Sequence, residues 1–156
     1  MDNDIPALID DYEGVVGPFD AVLQRIPAAR MDEPWLGGWS AREIVCHLAD
    51  SESFGLYRIR LAAAEPGSVI HGYDEAAWAA AWPYAQASIE AAAAVFRALR
   101  GYNASLLRAL PREAWERTVI HDRAGAWTLR RTLEVYAGHG KLHLADLTAI
   151  ADAPAS

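Results

Sequence analysis

Hydrophobic positions recur at steps of three and four along most of the chain. Ile5, Leu8, Ile9, Tyr12, Val15, Val16, Phe19, Val22, Leu23 and Ile26 form one apolar stripe. That stripe predicts a helix over about residues 4–26, with Pro27 just past its end. Gly14, Gly17 and Pro18 interrupt it without shifting its phase, so a kink is expected there rather than a break. Ser40 with Glu43 three residues on has the capping-box pattern, and Trp39 and Ile44 are placed for a hydrophobic staple. A second helix follows over about residues 40–63 and stops before Pro66-Gly67. The third spans about residues 85–110, and the fourth starts near Thr128 after the turn-like Asp122-Arg-Ala-Gly125. Leu129, Leu133, Tyr136, Leu147 and Ile150 mark the inward face of the fourth. The expectation is an all-α four-helix bundle. Its long helix 2–helix 3 connection carries a short helix from Asp74 to Ala81, and a connection that long lets helices two and three run parallel.

Composition narrows the picture. Of 156 residues 32 are alanine, the best helix former, and 53% are hydrophobic, enough for one bundle domain over residues 1–156. A net charge of −7 repels a phosphate backbone, which argues against a nucleic-acid partner. The acidic start Met1-Asp-Asn-Asp-Ile-Pro6 lacks the positive charge of a signal peptide. The longest uncharged stretch, residues 76–89, is too short for a membrane span and contains Pro83. A cytoplasmic protein with no membrane partner is expected. Cys46 stands alone, which excludes an intrachain disulfide, and a buried inert thiol is its simplest reading.

The chemistry lies in the histidines. His139 and His143 are four apart, on one helical face, in phase with Thr132, Tyr136, Leu147 and Ile150. His47 points inward on the second helix with Ile44, Leu48, Ser51 and Phe54. Three imidazoles from two facing helices make a three-nitrogen metal site with coordination positions left open. The competing reading is three core histidines bonded to carbonyls, and the spacing alone does not choose between them. Asp50, three residues past His47, is a candidate supporting acceptor or extra ligand, and a solvated helix carboxylate is its simpler reading. Arg58, eleven residues past His47 and 20° off in phase, is a candidate contact for a substrate carboxylate, with a plain salt bridge as its competitor. Tyr136 joins these as a candidate substrate contact. His121 beside Asp122 reads as local turn bonding, and His71 carries no assigned role.

Gly38-Trp-Ser-Ala-Arg-Glu-Ile-Val-Cys-His-Leu-Ala-Asp-Ser-Glu52 resembles the signature of the DinB-like (DinB/YfiT) metalloenzyme superfamily. So do Arg58, Tyr73-Asp74, the turn His121 to Gly125 with Trp127-Thr-Leu129, and Ala137-Gly-His-Gly-Lys-Leu-His-Leu-Ala-Asp146. The resemblance implies an up-down-down-up bundle, commonly a homodimer. It also implies a divalent metal, nickel or zinc, held by His47, His139 and His143. It points to a small-molecule substrate and to either of two reactions. One is S-transfer with a low-molecular-weight thiol as co-substrate, slightly preferred; the other is metal-dependent hydrolysis. A non-catalytic, metal-stabilised binding or dimerisation module is the alternative from another class. Leu142 and Asp146 depart from the family pattern, where histidine and glutamine are frequent.

Overall fold

A computed structural model describes residues 4–154. The first helical stretch divides into α1 (Asp4–Gly14) and α2 (Val16–Arg25). Pro18 has no N–H to return to the Gly14 carbonyl, so the ladder lapses at that point. Val15 keeps helical angles and its carbonyl accepts from Phe19 N at 2.9 Å, so the chain kinks and the stripe continues. Helix α3 (Ala41–Ala64) starts from the expected cap, with Ser40 and Glu43 bonded reciprocally. The short helix α4 (Glu75–Ala81) is capped by Asp74, α5 (Ile89–Leu107) by Ser88, and α6 (Leu129–Asp152) by Thr128. Helix α5 is shorter than expected. Residues Tyr84–Gln86 form a separate 3₁₀ turn, and after Leu107 the bonds tighten to the i→i−3 pattern.

Pairs along the helices define their directions. Asp11 with Lys141 and Arg25 with Asp152 run α1 and α2 parallel to α6. Asp10 with Arg108 and Asp20 with Arg97 run α5 against them. Arg42 on the Ala87 carbonyl and Glu52 with Arg100 set α3 parallel to α5. The bundle is therefore up-down-down-up.

The helical bundle is as expected, and the chain adds one element to it. Strands β1 (Val69–Ile70), β2 (Thr118–His121) and β3 (Gly125–Thr128) form a small sheet in that order, β1 parallel and β3 antiparallel to β2. The turn foreseen at Asp122–Gly125 is the loop of the β2–β3 hairpin. The sheet clamps the long α3–α5 connection to that hairpin and so holds residues 71–73 over α3. Just past α6, Arg30 donates to the carbonyls of Ala153 and Pro154. Residues 155–156 lie outside the described residues.

Two apolar clusters fill the bundle. One surrounds Ile9, Ile59, Leu107, Trp115 and Leu133, the other Phe19, Ile44, Phe96, Leu147 and Ile150. A buried polar group bridges them. Arg100, 0% exposed, donates to Glu52 Oε2 at 2.8 Å, to the Tyr12 carbonyl at 2.6 Å and to the Tyr136 carbonyl at 2.7 Å. Glu52 also accepts from the Tyr12 hydroxyl. The pairing keeps both charges tolerable in the interior, since either alone would be strongly destabilising. The Arg100 guanidinium occupies the space beside Gly140, where an added Cβ would come within 2.5 Å of it.

Candidate metal centre

Helices α3 and α6 lie antiparallel and bring the three histidines together. His47 Nε2 lies 3.0 Å from His139 Nε2, and His143 Nε2 lies 3.1 Å from the same atom. One ligand nitrogen from each lies within 4.8 Å of the others. Imidazoles holding zinc tetrahedrally at about 2.0–2.1 Å would stand about 3.3 Å apart, so the donor set fits a divalent cation. Three converging ring nitrogens also make poor partners for one another, because facing lone pairs repel. A cation between them resolves that conflict.

The outer nitrogens orient the rings. His143 Nδ1 is 3.0 Å from Asp146 Oδ2, and His139 Nδ1 is 3.3 Å from Ser51 Oγ. With Nδ1–H donating outward, each Nε2 presents its lone pair to the centre. Trp39 packs on His47 at 4.6 Å between ring centroids and also faces His143 at 6.4 Å. Burial first, and then His143, hold the His47 pKa down to about 4. Burial, then His143 and His47, hold His139 at about 3. Both rings are neutral at pH 7, the protonation state a metal requires. His47 is buried while His139 and His143 are half-buried, so the centre is reachable from one side.

The other candidates separate. Asp50 does not join the histidines; it accepts from the Tyr84 hydroxyl and lines a cleft of about 940 Å³ with Trp78, Trp82 and Tyr84. Arg58 forms no salt bridge among the described residues, contrary to its simpler reading; it donates to the Tyr136 hydroxyl at 2.9 Å and to the His71 carbonyl. Tyr136 is thus tied to Arg58, and its ring lies against Gly55, where a Cβ would come within 2.8 Å. His71 is not idle, since its Nδ1 also meets Asp122 at 3.1 Å. His121 keeps its local contact with Asp122 at 3.2 Å. Cys46 is buried, and desolvation pushes its thiol pKa up. Three site residues escaped sequence reasoning in these roles. Ser51 was visible only as a member of the inward stripe, Trp39 only as a staple, and Asp146 only as an unusual residue three places past His143.

The fold and the three-histidine cluster define a class: this chain belongs to the DinB superfamily, whose family model matches residues 11–147. Similar proteins include the "Putative metal-dependent hydrolase" of Oceanobacillus iheyensis, 39% identical over 114 residues. That match spans 73% of this chain and 66%, just under two thirds, of the relative's length. A protein of the same name from Bacillus cereus is 27% identical over 94% of this chain and 84% of its own. Among solved structures, YfiT from Bacillus subtilis, described as "a probable metal-dependent hydrolase with an unusual four-helix bundle topology", superposes with a TM-score of 0.89 at 28% identity. The superposition covers 96% of this chain and 87% of YfiT. The mycothiol-dependent maleylpyruvate isomerase shares the fold at a TM-score of 0.74 and 14% identity, over 92% of this chain and 60% of that one. No helix among the described residues is long and apolar enough to cross a membrane.

Proposed function

We propose that this chain is a metal-dependent hydrolase acting on a small molecule, with His47, His139 and His143 as the metal ligands. The convergence of their three Nε2 atoms, with the Nδ1 atoms of His139 and His143 meeting Ser51 and Asp146, carries the reading. A bound divalent cation supplies two things there: a polarised substrate oxygen and a water acidic enough to act as nucleophile near neutral pH. Asp146 and Ser51 hold the His143 and His139 tautomers. Trp39 covers the centre on one flank, and Tyr73 approaches His47 at 6.5 Å between ring centroids on another.

Hydrolysis now stands ahead of the thiol transfer that the sequence resemblance slightly favoured. The relatives that resemble this chain at 39% and 27% identity are named as hydrolases, whereas the thiol-dependent isomerase, at 14%, shares only the fold. Nickel and zinc both remain in the proposal. The test is turnover by zinc- and nickel-loaded protein of an ester, amide and lactone panel, with and without glutathione. Product formation with water alone supports hydrolysis. An absolute need for the thiol transfers the assignment to S-transfer, and metal binding without turnover of any panel member favours the binding module.

A further inference from the structure

Among the described residues two arginines are buried, and their surroundings differ. Arg100 has the Glu52 carboxylate at 2.8 Å. Arg58 is 8% exposed and has only neutral oxygens, the Tyr136 hydroxyl and the His71 carbonyl, while its Nε is buried with no partner. A buried cation without an anion is costly unless something supplies one.

The neighbouring polar atoms are also donors. Tyr73 OH is buried with no hydrogen-bond partner. Tyr136 OH accepts from Arg58, which leaves its own proton to give. Phe54 ties the group together. Its ring stacks on Tyr73 at 4.6 Å between centroids and carries the Arg58 guanidinium at 5.4 Å. A guanidinium Nε–H without a partner and two phenol O–H groups, each with a proton to give, complement an anion with several lone pairs.

We infer that Arg58, with the hydroxyls of Tyr73 and Tyr136, forms a subsite for a carboxylate of the substrate. Its role in turnover rests on the hydrolase reading; its existence as an anion site does not. Eleven residues of helix separate Arg58 from His47, about 16 Å of rise. Two rings span the interval: the guanidinium lies 5.4 Å from the Phe54 centroid, Phe54 stacks on Tyr73 at 4.6 Å, and Tyr73 lies 6.5 Å from the His47 ring. The substrate class is therefore a carboxylic acid whose charge lies several bonds from the hydrolysed group.

The test uses monohydroxamates of succinic, adipic and suberic acids beside the same compounds with the far carboxylate replaced by its amide. The hydroxamate end reports on the metal through the visible spectrum of cobalt-loaded protein. At one of the longer chain lengths the acid binds about 10- to 100-fold tighter than the amide. Arg58→Gln brings the acid-to-amide affinity ratio close to one, and Arg58→Lys, which keeps the charge but not the fork, retains part of the advantage. Equal binding of acid and amide by wild type at every length overturns the subsite, without recourse to any variant. An acid advantage that survives Arg58→Gln overturns it as well. In chelator-stripped protein the acids shift the Arg58 Nε–H resonance. If that shift occurs while no hydroxamate perturbs the cobalt spectrum, the metal assignment falls and the anion site stands. If neither occurs, the anion site falls too.

Discussion

Replacing Gly140 with alanine sets two effects of opposite sign against each other. In an ordinary helix interior the change gains about 1 kcal/mol, because glycine is the poorer helix former. Here the new Cβ would lie 2.5 Å from Arg100 Nη2, 2.7 Å from Nη1 and 2.8 Å from Cζ. Arg100 is fully buried and pinned by Glu52 and two carbonyls, so its guanidinium has nowhere to move without giving up those bonds. Disrupting a buried pair costs about 3–5 kcal/mol, leaving a net loss of roughly 2–4 kcal/mol. For a chain of this size that lowers Tm by roughly 5–15 °C. Thermal unfolding followed by circular dichroism, on chelator-treated protein so that no metal adds stability, measures it. A Gly140→Ala variant as stable as wild type, or more stable, would refute the reasoning about the Arg100 layer.

Asp146→Asn weakens the acceptor on His143 Nδ1, and metal affinity measured by chelator competition drops about 10-fold or more while helicity is kept. Ser40→Ala removes the reciprocal cap of α3 and costs about 1 kcal/mol in urea unfolding. The folded state holds His47 and His139 at about 4 and about 3, below the ordinary value near 6.5, so on acidification the unfolded chain takes up protons first. Metal-free protein therefore has the full stability of these two groups above pH 6.5 and loses it steadily from there toward pH 4. The urea midpoint should fall between pH 7 and 5, and the His47→Gln/His139→Gln double variant should flatten that slope.

The helices were legible because each is long enough for its apolar stripe to repeat, and because Ser40 and Thr128 mark their starts. The inward phase of His47, His139 and His143 followed from the same stripes. The sheet was hidden, because β1 has two residues and the other strands four, too few for a period of two to emerge. With it was hidden what the sheet does, which is to bring His71 and Tyr73 over α3. The surroundings of Arg58 were misjudged for the same reason: helical phase gives its direction, but its partners come from residues 13 and 78 positions away. Asp146 was within reach, since three residues is one helical turn, yet only the ring geometry shows that it holds His143.

Metal stoichiometry tests the central claim most directly. Untagged wild-type protein and His139→Ala are each loaded with zinc or nickel, desalted, and measured by elemental mass spectrometry beside their circular dichroism spectra. The three-histidine centre predicts close to one equivalent in wild type and almost none in a variant that keeps its helicity. No retained metal in wild type, or the same metal content in both proteins, would contradict it.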